Sequence, residues 1–156
     1  MSGLVVREHR PVEITRDFDA ARESVFGMWT DPQKVARWWG PEGSTNVLCE
    51  IDPRPGGKMR IDDRSPDGLV YSMTGTFSKV VQPELLVFHS ASPGAGDWGP
   101  WEALNTVTFE ELGPRRTRVR VNVQVVVASQ GQREPLERGF RGGWAESLEK
   151  LQRALR

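Results

Sequence analysis

The chain has 156 residues with 21 basic and 21 acidic side chains, which suits one substantial core, would crowd two, and leaves no net field to gather nucleic acid or bind an anionic membrane. Cys49 is the only cysteine, excluding an internal disulfide or a zinc site built on several thiolates and agreeing with a reducing, cytoplasmic compartment. The apolar run 4–6 is too short to span a bilayer, and basic residues follow it rather than precede it, unlike a secretory signal.

A polar arm over residues 1–10, which holds His9, leads into a single domain over 11–156. Val12, Ile14 and Phe18 alternate with Glu13, Thr15 and Asp17, the period of a strand with one buried face. Arg16 falls in phase with the apolar set and is expected to carry its charge out to water from a strand end. A short helix is predicted over 21–28, with Val25, Phe26, Met28 and Trp29 on its apolar side. Asp31-Pro32 then joins a capping residue to a proline at the first helical position, starting a second helix that carries Val35, Trp38 and Trp39 and ends at Gly40-Pro41. Two helices this short need a larger partner to pack on.

Strands and turns fill the chain from Ser44 to Val127. Val47, Cys49 and Ile51 form a predicted apolar face, followed by a Pro/Gly turn over 53–57. Met59 and Ile61 carry the next strand, ending in Asp62 and Asp63 between Arg60 and Arg64, which read as solvated charges. Leu69, Tyr71, Met73, Gly75 and Phe77 make another strand, with Gly75 marking a bulge or bend. Residues 85–90 are apolar on both faces and are expected to be buried on both. A glycine-rich loop over 93–100 carries an exposed Trp98, and two last strands run over 101–110 and 117–127, the latter with Val119, Val121, Val123, Val125 and Val127 on one face. Short turns between successive strands imply an antiparallel meander.

In the last segment Leu136, Phe140, Trp144, Leu148, Leu151 and Leu155 recur at spacings of three and four, the stripe of an amphipathic helix laid on a sheet. Gly139, Gly142 and Gly143 each cost such a helix roughly 1 kcal/mol relative to alanine, so tertiary packing must hold it. Gly139, Gly143 and Ser147 form a strip of small residues that either admits the sheet closely or leaves room for a cavity.

This order resembles the helix-grip fold of the START-like, or SRPBCC, superfamily, and within it the bacterial homologues of the activator of heat-shock-protein-ninety ATPase. The segments that carry the likeness are Arg16-Asp17-Phe18-Asp19-Ala20 with Val25-Phe26, Thr30-Asp31-Pro32 with Trp38-Trp39-Gly40-Pro41, Arg54-Pro55-Gly56-Gly57, Gly75-Thr76-Phe77 with Pro83-Glu84 and Leu86-Val87-Phe88, and Gly143-Trp144 with Leu148 and Leu151. Ala21 and Leu85 depart from the family pattern, which often has proline and arginine there. The resemblance implies an α+β fold: a strongly curved antiparallel sheet of about seven strands around the C-terminal helix, with two short helices between the first two strands. It also implies three functional readings: a non-catalytic binder of a small hydrophobic molecule, a co-chaperone-like partner of a chaperone in the stress response, and an enzyme resembling polyketide cyclases and aromatases.

Candidates for chemistry are few. His89 follows Phe88 on an apolar strand and, with Tyr71, is the nominee for any catalytic group, and Cys49 reads as a small core residue. No His, Cys and carboxylate set has metal spacing, no phosphate loop is present, and no cofactor is expected. The aromatic residues point to binding instead: Trp38, Trp39, Trp101, Tyr71, Met73, Phe88, His89, Phe140 and Trp144 are the candidate cavity residues. The expected partner is a small hydrophobic molecule, with a chaperone as a second candidate, and the chain is expected to act as a monomer or homodimer without nucleic acid or membrane.

Overall fold

The computed structural model describes residues 10–155, so His9, most of the N-terminal arm and Arg156 lie outside the described residues. In chain order the elements are β1 (Val12–Phe18), α1 (Arg22–Thr30), α2 (Pro32–Val35), β2 (Thr45–Ile51), β3 (Lys58–Arg64), β4 (Val70–Val81), β5 (Leu85–Ser92), β6 (Trp101–Gly113), β7 (Arg116–Ala128) and α3 (Arg133–Ala154). The strands form one seven-stranded antiparallel sheet ordered β1-β7-β6-β5-β4-β3-β2. β2 to β7 follow one another as hairpins, while β1 crosses to pair with β7, setting Val12 opposite Val123 and Phe18 opposite Thr117. The sheet curls around α3, and the helix-grip arrangement expected from the sequence is the one observed.

Local chemistry accounts for the elements. Asp31 caps α2 by accepting a hydrogen bond from the Gln33 N–H at 3.0 Å, with Pro32 at the first helical position. The helix then tightens: Trp38 and Trp39 both donate backbone N–H bonds to the Val35 carbonyl, so the tryptophans stand on the closing turn instead of on a helical stripe. In mid-β4, a side chain on Gly75 would come within 2.6 Å of Met59 Cγ, so the missing Cβ lets β3 and β4 pack closely.

Three buried-face expectations fail, the first two because of local backbone geometry. Val47 is exposed because a register shift lies between Asn46 and Leu48, inverting the alternation at that point. Val127 is exposed for the same reason, since the β6–β7 register shifts between Glu102 and Ala103 and ends the run that buries Val119 to Val125. In β5, Leu86, Phe88 and Ser90 are buried, but Leu85 and Val87 are only half-buried and His89 is exposed, so the strand has one buried face and not two.

The core lies between the sheet and the helices, with Val25, Phe26, Met28 and Trp29 of α1 and Leu148 and Leu151 of α3 inside it. Trp29 stacks on Trp144 with centroids 5.4 Å apart and planes at 14°, and contacts Trp38 at 4.6 Å, so indoles from α1, α3 and the turn after α2 lock the three together. Arg16 turns its guanidinium to Glu149 of α3, pairing at the surface where the sequence predicts release to solvent. Two hydrogen bonds from Arg118, at 2.8 and 3.2 Å, hold Asp17 below the usual carboxylate range and fasten β1 to β7.

Candidate functional site

The small-residue strip of α3 divides in function along its length. No atom lies within 4 Å of a Cβ built on Gly139 or Gly143, so the strip faces open space there. One turn on, the strip closes. Ser147 Oγ accepts the Gly40 N–H and donates to the Gly40 carbonyl, both at 3.1 Å, pinning the helix to the loop after α2. Gly40 has φ +95, and a side chain there would come within 2.7 Å of Ser44 Oγ, so this close approach depends on glycine.

The space left open is a cavity of about 360 Å³ between α3 and the inner face of the sheet. Ile61, Met73 and Phe88 form apolar wall on the strand side, and Leu136, Phe140 and Trp144 on the helix side. Edge-to-face contacts fix the rings: Trp101 meets Phe140 at 4.9 Å and 81°, and Trp39 meets Trp144 at 5.0 Å and 75°. Trp98 is half-buried on the cavity wall, not exposed as the loop composition suggests. Gln132, beside the start of α3, positions that loop by donating to the Asp97 carbonyl and accepting from the Gly99 N–H, each at 2.8 Å.

Of the residues singled out from sequence, Trp39, Tyr71, Met73, Phe88, Trp101, Phe140 and Trp144 come together on the cavity wall. Trp38 does not. It is fully buried behind the wall, donating Nε1–H to the Met28 carbonyl at 2.8 Å, and is a packing residue. His89 also stands apart, because Phe88 and Ser90 on either side point inward and strand alternation sends His89 to the outer face, 3.0 Å from Glu102. Of the two nominees for catalysis, Tyr71 alone borders the cavity.

Among the polar wall residues that sequence reasoning missed are Asp63, Ser90 and Asn105. Each lies in phase with buried apolar neighbours on its strand, Asp63 with Met59 and Ile61, Ser90 with Leu86 and Phe88, Asn105 with Ala103 and Val107, and that alternation was the available signal. Asn105 Nδ2 donates to Ser90 Oγ at 2.8 Å and to the Phe88 carbonyl at 3.2 Å, satisfying a buried polar pair in the sheet. Asp63 is 8% exposed, and burial pushes its carboxyl up to about 6 against the opposing pull of Asn46 and Lys150. Asp62 is buried as well, with Oδ2 3.2 Å from Arg60 and Oδ1 unpartnered among the described residues. The reading of this pair as solvated charges is therefore corrected.

Cys49 is half-buried, and burial, with Asp63 and Asp31 adding to it, raises its thiol to about 11, leaving it protonated and a poor nucleophile near neutrality. Among the described residues no group of three or more His, Cys, Asp and Glu is placed to hold a metal ion, and no helix is long and apolar enough to cross a membrane.

A family model described as Activator of Hsp90 ATPase homolog 1-like protein matches residues 19–156. No curated protein is similar at a significant level. Among solved structures, one from Nitrosomonas europaea is 19% identical with a TM-score of 0.78, covering 96% of each chain. One from Rhodobacter sphaeroides is 20% identical with a TM-score of 0.78, covering 94% of this chain and 92% of that one. One from Silicibacter pomeroyi, named AHSA1, is 23% identical with a TM-score of 0.77, covering 93% of this chain and 96% of that one. At these identities the likeness establishes a shared fold.

Proposed function

The chain belongs to the family of Activator of Hsp90 ATPase homolog 1-like proteins, and we propose that it is a binding protein holding a small apolar or aromatic molecule between α3 and the sheet. One observation carries this reading: where Gly139 and Gly143 face the sheet, the fold leaves about 360 Å³ bordered by aromatic rings. A cavity of that size falls within the range of small-molecule sites, and a mostly apolar wall with a few placed polar groups is their usual make-up. Cys49 is held protonated and His89 is on the outer face, which argues against thiol or imidazole catalysis in the cavity.

Native mass spectrometry of gently purified protein and thermal-shift screening with aromatic compounds test the reading. A cavity-filling variant, Gly143→Leu, is expected to fold and lose the ligand response. Undiminished binding in that variant sends the ligand elsewhere and defeats the proposal.

The family match supports a second reading, a co-chaperone-like partner of an Hsp90-type ATPase. An ATPase assay with the host chaperone separates the two. Stimulation that survives Gly143→Leu favours the chaperone reading, and its absence alongside ligand binding favours the cavity.

A further inference from the structure

The cavity is largely apolar, yet its wall contains a carboxylate, Asp63, held by a single hydrogen bond among the described residues. Asp63 Oδ1 accepts one hydrogen bond, from Asn46 Nδ2 at 3.3 Å. Oδ2 accepts none among the described residues and lies beside Gly40, where a built Cβ would be 2.9 Å from it. Lys150 attracts this carboxylate without forming an ion pair with it; its Nζ donates instead to the carbonyls of Gly40 at 3.2 Å and Trp39 at 3.5 Å. The other acidic wall residue, Glu42, is exposed and paired with Arg153. Among the described residues no lysine or arginine borders the cavity.

Burial makes the ionised form of Asp63 costly, and a cationic donor arriving with a ligand would offset that cost. A ligand ammonium supplies both the opposite charge and the N–H groups, and indole and phenol rings such as Trp39, Trp98 and Tyr71 on the same wall favour a cation further. A ligand carboxylate meets repulsion instead. We propose, building on the binding reading above, that Asp63 makes the cavity selective for molecules whose apolar body carries a protonated amine, and that it turns carboxylates away.

The surroundings of Asp63 set the pH dependence. Lys150 of α3 faces it, Asp62 is its neighbour on β3, Cys49 approaches from β2, Tyr71 lies opposite on β4, and Glu42 stands on the cavity wall. With its carboxyl raised to about 6, Asp63 is mostly ionised above that pH and takes up a proton below it, so amine affinity falls on acidification.

Isothermal titration of the full chain with three naphthalene probes of similar shape, 1-naphthylethylamine, 1-naphthylethanol and 1-naphthylacetate, tests the proposal, with Asp63→Asn as the variant. At pH 7.5 the amine is expected to bind about tenfold or more tighter than the alcohol, the gain of a charge-assisted hydrogen bond, and the acetate weakest of the three. Asp63→Asn should erase most of the amine's advantage over the alcohol, and a native-like far-UV circular dichroism spectrum with a cooperative unfolding transition shows that the variant folds. Lowering the pH to 5 should weaken the amine in wild type but not in the variant. Acetate binding as tight as amine, or amine binding indifferent to Asp63→Asn, overturns the selectivity while leaving cavity binding intact. Failure of the alcohol along with the other two overturns the binding reading, and the selectivity falls with it.

Discussion

Asp63 shows how one side chain can be placed against the stability of its own fold. Its carboxyl is raised from 3.8 to about 6 on folding, so the folded chain holds a proton that the unfolded chain releases between those values. The contribution to stability is therefore fully present below about pH 4 and is lost as pH rises through about 6. Asp63→Asn is expected to raise stability at pH 8 by on the order of 1–2 kcal/mol, allowing for partial solvent screening. The gain should vanish near pH 4, and urea titrations at the two pH values check it. Trp38 illustrates the opposite case, a residue committed wholly to packing: Trp38→Ala should cost about 3–5 kcal/mol by the same assay, since it removes a fully buried indole and leaves the Met28 carbonyl without its donor.

At the scale of the element, α3 gives up helix propensity to leave space. With nothing within 4 Å of a Cβ at Gly143, Gly143→Ala meets no clash and should raise stability by about 1 kcal/mol through helix propensity. It also narrows the cavity, so a rise in Tm should accompany weaker binding of bulky aromatic ligands. A drop in Tm would show that the glycine is needed for backbone geometry instead. The loop over 93–100 is held differently, through the two hydrogen bonds of Gln132. Gln132→Ala should loosen Trp98 and speed ligand release, read by stopped-flow fluorescence, while changing global stability by only about 1–2 kcal/mol.

For the molecule as a whole, closure of the sheet by β1 on β7 and the cluster of Trp29, Trp38, Trp39 and Trp144 tie both ends of the chain into one core. Unfolding is expected to be one cooperative step, with tryptophan fluorescence and far-UV circular dichroism giving coincident transitions. Separate transitions would mean that α3 leaves the sheet before the sheet melts.

How much of this was legible beforehand differs by level. Alternation in β7, the Asp31-Pro32 helix start and the apolar stripe of α3 are local patterns, and each appears in the structure with small shifts of boundary. The exposed Val47 and Val127 were not legible, because a register shift in strand pairing depends on the partner strand and leaves little trace in the run itself. At the candidate site, the periodicity that placed Phe140 and Trp144 together was sound, whereas His89 was assigned by its apolar neighbourhood when its parity pointed outward.

Local patterning was enough to set the order of elements, the antiparallel meander and the small-residue strip on the last helix, because periods of two and of three to four residues and capping chemistry are written along the chain. That the strip opens at Gly139 and Gly143 and closes at Ser147, and that Asp63 turns inward beside Gly40, follows from how the helix packs on the sheet. The distance between a helix and a sheet is set by every side chain packed between them, and no single segment carries that information.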